Sequence, residues 1–141
     1  MTKTRKIIYW IATLWLSLGL AATGIGQLIG ADGQGGADMM AKLGYPRYLM
    51  PLLGVWKILA VIALLIPKFS LLKEWAYAGF FFFFSGAVFS HLALGDAAIE
   101  LFGPVLLLVL TGVSWYLRPA NRKTISLLLK INNFIHTETQ A

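Results

Sequence analysis

The sequence predicts an all-α membrane protein, a four-transmembrane-helix antiparallel bundle with a short amphipathic C-terminal segment. Four long apolar runs, 7–27, 48–66, 75–94 and 98–117, hold almost all the hydrophobic side chains, and nearly every charge lies between them. About 20 apolar residues cross a bilayer as a helix, the one open-chain form that satisfies its own backbone in lipid. Composition agrees: 58% of the 141 residues are hydrophobic and only 13% are charged, where a soluble domain carries about a quarter. Mean hydropathy is +0.73. Four spans consume roughly 80 residues, so 1–118 reads as one transmembrane domain and 119–141 as a basic cytoplasmic tail.

The first run follows a basic start, Lys3, Arg5 and Lys6. It is longer than the 7–15 apolar residues of a signal peptide core, so it reads as a retained helix. Within it Ala22, Gly26 and Gly30 form a small-residue ridge for close helix approach. Residues 31–47 are polar and glycine-rich, with a short surface helix predicted over 38–43, capped by Asp38 and ended by Gly44. Tyr45 and Tyr48 suit interface depth. The second run stops at Pro67, and the short connection to Lys73 predicts a helical hairpin. In the third run Glu74 is placed as the N-terminal cap, with Trp75 and Tyr77 as an aromatic anchor. Its phenylalanines 80–84 must project in several directions, as packing and lipid surface more than as a cofactor box. The fourth run has Pro104 near its start and Trp115 and Tyr116 at the inner boundary. Beyond Pro119, Ile125, Leu128, Leu129 and Ile135 fall on one stripe, which suits an amphipathic helix on the cytoplasmic surface.

Charge sets the expected orientation. With the N-terminus inside, the inner segments hold nine basic residues (Lys3, Arg5, Lys6, Lys68, Lys73, Arg118, Arg122, Lys123, Lys130). The outer segments hold two, Lys42 and Arg47, beside Asp32, Asp38, Asp96 and Glu100. That asymmetry places both termini in the cytoplasm. The net charge of +6 therefore meets anionic lipid headgroups, and nucleic acid is not an expected partner. The chain has no cysteine, which removes thiol–disulfide chemistry, thiolate metal sites and iron–sulfur ligation. Two histidines, His91 and His136, do not make a bis-histidine haem site in one subunit. A closed zinc site wants more ligands than are visible, and no metal is expected.

Lys57 is the costliest residue to place. It stands nine residues from both Tyr48 and Ile66, ~14 Å from either end of its helix. A charge at that depth costs about 2.5 kcal/mol or more and faces a bundle interior with a partner. Gln27, His91 and Glu100 lie near the outer ends of the other three runs, with Asp96 between the last two. These groups are expected to converge with Lys57 on one polar cavity, Glu100 being the first choice of charge partner and Asp96 the second. The competing reading is a structural pair that fastens helices.

Several motifs carry a resemblance. Leu43-Gly44-Tyr45-Pro46, Gly54-Val55-Trp56-Lys57-Ile58-Leu59 and Leu65-Ile66-Pro67 come first. The strongest is Leu72-Lys73-Glu74-Trp75-Ala76-Tyr77-Ala78-Gly79-Phe80, followed by Ser85-Gly86-Ala87, Ser90-His91 and Gly95-Asp96. Together they resemble the DoxX-like family of small bacterial membrane proteins, over roughly residues 19–117. The resemblance implies a four-helix bundle in the bacterial inner (plasma) membrane, with Lys57, Glu74, His91 and Asp96 as matching polar positions. Phe83 stands where family members often carry a polar, commonly acidic, residue. The family's namesake relatives look like subunits of thiosulfate:quinone oxidoreductase or quinol-oxidase complexes, an analogy of fold and not of site.

The expectation is an accessory or small-ligand/quinone-binding subunit of a membrane redox system, not a stand-alone enzyme. Its ligand-binding residues are Lys57, His91, Asp96, Glu100 and Gln27. No cofactor is supplied by the chain itself, the candidate ligand being a quinone or lipid. Its partners are the bilayer and either further copies or redox-complex subunits. Two alternatives remain open: a small oligomeric transporter or channel for an anion or proton-coupled solute, and a purely structural subunit.

Overall fold

The structure, a computed structural model, describes residues 1–139, and these form helices joined by short connections. In order they are α1 (Lys3–Ile29), α2 (Ala37–Lys42), α3 (Leu49–Leu65), α4 (Ser70–Leu94), α5 (Ala98–Leu117), a 3-10 turn (Ala120–Arg122) and α6 (Thr124–Thr139). Helices α1, α4 and α5 are long and apolar enough to cross a membrane. Helix α3 is apolar but has 17 residues, ~26 Å at 1.5 Å per residue against a hydrocarbon core of about 30 Å.

Helix α1 packs on α3 and α5, and α4 packs on α5 and α3, so the four enclose a common core. Leu16 and Leu20 of α1, Leu64 of α3 and Tyr77, Phe80 and Phe84 of α4 meet there, backed by Leu107 and Leu108 of α5. Phe81 and Phe82 are exposed on the outer surface, so the five phenylalanines divide as helical geometry requires. A buried hydroxyl chain pins three helices. Thr13 donates to the Tyr9 carbonyl at 2.7 Å, so it accepts from Ser114 at 2.7 Å, and Ser114 in turn accepts from the Tyr77 hydroxyl at 2.7 Å. Each hydroxyl has one hydrogen to give, and that fixes the direction.

Several local expectations change. The close approach of α1 and α3 uses Gly24, not the ridge of Ala22, Gly26 and Gly30. A Cβ on Gly54 would lie 2.7 Å from the Gly24 carbonyl, and one on Gly24 would lie 3.1 Å from Lys57 Cβ. Gly30 instead ends α1 in the left-handed conformation. Asp38 does not cap α2. Gly36 holds that position, and the Asp38 carboxylate accepts from Gly33 N at 3.0 Å, bracing the preceding loop.

Helix α4 starts at Ser70, one turn earlier than expected, so Glu74 is not a cap. Its carboxylate accepts from Arg118 and from Trp115 Nε1, tying α4 to the end of α5. Lys73 is thereby turned into the interior, only 1% exposed. Its ammonium donates to the carbonyls of Ala63 (2.7 Å), Leu64 and Ile66 at the end of α3. Arg122 adds bonds to Leu64 O at 3.0 Å and to Leu65 O. Pro67 has no N–H to offer the Ala63 carbonyl, so this end of α3 needs outside donors. Two cations from later in the chain supply them and allow a short helix to end in apolar surroundings.

Candidate functional site

At the α2 end of the four long helices lies a cavity of about 460 Å³, within the size range of small-molecule sites. All four contribute to it: Thr23 and Gln27 from α1, Leu53 and Lys57 from α3, Phe83 and His91 from α4, and Pro104 and Leu107 from α5. Met39 and Met40 of α2 close it from above. Its wall is mostly apolar, with a few polar groups at fixed points.

Lys57 sits at the floor, 7% exposed. Its Nζ donates to Thr23 Oγ1 at 3.2 Å and stands 4.9 Å from the centre of the Phe83 ring, within cation–π range. Gln27 is 2% exposed. Its Nε2 donates to the Gly35 carbonyl at 2.8 Å, while Oε1 is buried without a donor. A Cβ on Gly35 would lie 3.6 Å from Gln27 Nε2 and 3.9 Å from Lys57 Nζ, so both nitrogens lie beside that glycine.

His91 also lines the cavity and is 1% exposed. Its Nδ1 lies 2.7 Å from Asp96 Oδ2. A carboxylate only accepts, so Nδ1 carries the hydrogen and donates to Asp96. Asp96 and Glu100 stand above the cavity instead of lining it. Lys42 of α2 bridges them, 2.8 Å from Asp96 and 2.5 Å from Glu100. Lys42 and His91 hold the Asp96 carboxyl below the usual carboxylate range, and the two acids hold Lys42 above the usual ammonium value. Tyr45 and Ser90 add a 2.7 Å hydroxyl bond between the α2 connection and α4.

The predicted residues thus fall into two layers. Lys57, Gln27 and His91 share the cavity; Asp96 and Glu100 lie outside its lining, bridged by Lys42. Neither acid pairs with Lys57, contrary to the expectation for Glu100 and Asp96, because the ammonium of Lys42 reaches both first. His91, Asp96 and Glu100 offer ligand atoms within 4.8 Å of one another, a spacing that suits a metal ion. The Lys42 ammonium already supplies that cluster's positive charge.

Sequence reasoning missed Thr23 and the α2 cap. Thr23 was legible, since it precedes Gln27 by one helical turn. The cap was not, because nothing local says which way a short polar helix folds back.

These features define a polytopic helical membrane protein with a ligand-sized cavity floored by a lysine. The chain belongs to the DoxX-like family, whose sequence profile matches residues 11–114. No curated protein and no solved structure matches it.

Proposed function

We propose that the chain is a four-span antiparallel bundle that binds one small lipophilic molecule in the outer half of the membrane, and that it serves a membrane assembly as an accessory subunit. The observation that carries this reading is the cavity itself: an apolar wall around one buried ammonium, that of Lys57, whose hydrogen-bond partner in the chain is the Thr23 hydroxyl. Buried polar groups are normally satisfied, and those left open at a cavity are where a ligand's polar end docks. Positive-inside charge favours an orientation with the α2 end outside and both termini in the cytoplasm, and the family resemblance favours a bacterial inner membrane. A quinone, the ligand suggested by the redox resemblance, has carbonyls that would accept from Lys57. Any redox centre would come from partner subunits.

A channel is the weaker reading. Below the cavity Leu16, Leu20, Leu64, Tyr77, Phe80 and Phe84 close the core, so a solute path would require that packing to part.

Gly86 supplies the test. It lines the cavity, and a Cβ there would meet no atom within 4 Å. Gly86→Leu should keep the fold, yet abolish saturable binding of lipophilic probes by the purified protein. Binding unchanged in that variant would locate the ligand elsewhere.

A further inference from the structure

The charge inside the cavity narrows what occupies it, given the cavity reading above. Four lysine and arginine side chains are buried among the described residues, and three are satisfied by the chain. Arg118 pairs with Glu74. Lys73 binds three carbonyls, and Arg122 binds two carbonyls and the Tyr9 hydroxyl. Lys57 is the exception. It has one neutral hydroxyl and one aromatic face, and it forms no ion pair among the described residues. Asp96 and Glu100, the acids expected as its partners, are committed to Lys42 and His91. An ammonium in low-dielectric surroundings is costly unless paired. The space for a partner lies directly against it.

We propose that the cavity takes a single-chain lipophilic acid, whose carboxylate pairs with the Lys57 ammonium while its apolar chain lies along Leu53, Phe84 and Leu107. One cation matches one negative charge; a phosphate monoester, at about −1.5 to −2, would exceed it. The Thr23 hydroxyl, already bonded to Nζ, holds the ammonium in place before the ligand arrives, which lowers the ordering cost of binding.

The experiment uses the full chain in a neutral detergent at pH 7, where the acid is ionised. Dodecanoic acid, its methyl ester and a decyl-substituted benzoquinone are compared by competition against labelled dodecanoate. The acid should bind at least tenfold more tightly than the ester or the quinone. Lys57→Met should erase that difference, and Lys57→Arg should retain most of it. The wild-type comparison needs no variant, so misfolding of Lys57→Met leaves the test intact. An ester or quinone that competes as well as the acid overturns the acidic head and leaves the cavity reading standing. If none of the three probes saturates the protein, both readings fall.

Discussion

Two lysines buried in one chain have opposite roles, and their contacts tell them apart. Lys73 satisfies backbone carbonyls at the end of α3, among them that of Ala63, which Pro67 leaves without a donor. Lys73→Met should orphan the Ala63 and Ile66 carbonyls at about 1–3 kcal/mol each. A loss of about 2–6 kcal/mol is expected in a detergent-denaturant titration followed by tryptophan fluorescence. Lys57 makes one weak bond at the edge of a cavity, and Met fills its stem volume. Lys57→Met should therefore leave stability within about 1 kcal/mol of wild type, or raise it. Equal losses in the two variants would make Lys57 a structural pin and remove its claim to a ligand.

Helices α1 and α3 meet where two glycines let their backbones touch. Gly54→Ala puts a methyl 2.7 Å from the Gly24 carbonyl and 2.9 Å from Leu28 Cγ. Overpacking of that kind costs about 1–3 kcal/mol, whereas Gly79→Ala and Gly112→Ala enter open space and should be tolerated. The same titration tests both classes.

Helix α2 is held by the Lys42 bridge. Asp96, with its pKa lowered in the folded protein, lends stability above the ordinary carboxylate value, which is lost as pH falls through the lowered one. Lys42, with its pKa raised, lends stability below the ordinary ammonium value, which is lost as pH rises through the raised one. The cap should stay docked between about pH 4 and pH 10.4. Deuterium uptake of residues 37–42 relative to α1 across pH reads this directly. At neutral pH, Lys42→Ala should release the cap, and an engineered Met40→Cys, 6% exposed in the closed form, should be alkylated several-fold faster. The natural chain has no cysteine, so the label reports one position.

At the scale of the molecule, the proposed topology puts the α2 connection outside and α6 inside. A cysteine replacing Gln34 should react with an impermeant maleimide in intact cells. One replacing Ser126 should react only after permeabilisation. The reverse pattern would invert the bundle and bring the cavity to the cytoplasmic leaflet. Helix α6 has no buried residue, and its basic and apolar side chains suit the lipid surface that the same topology assigns to it.

How far could the residues alone carry this description? Apolar run length placed the helices, since burying an unpaired backbone in lipid is prohibitive wherever the chain folds. The same economy marked Lys57 as anomalous, because a charge at mid-helix depth needs an explanation in any packing. Pairing was a different matter. Whether Asp96 and Glu100 reach Lys57 or Lys42 depends on where α2 docks, and Lys42 is 54 and 58 residues away from them along the chain. Helix phase decided the rest: α4 beginning at Ser70 turned Lys73 inward to the carbonyls of α3 and sent Glu74 to Arg118. Hydrophobic pattern is a local property, legible one residue at a time, whereas a hydrogen bond between helices exists only once both have chosen their rotation.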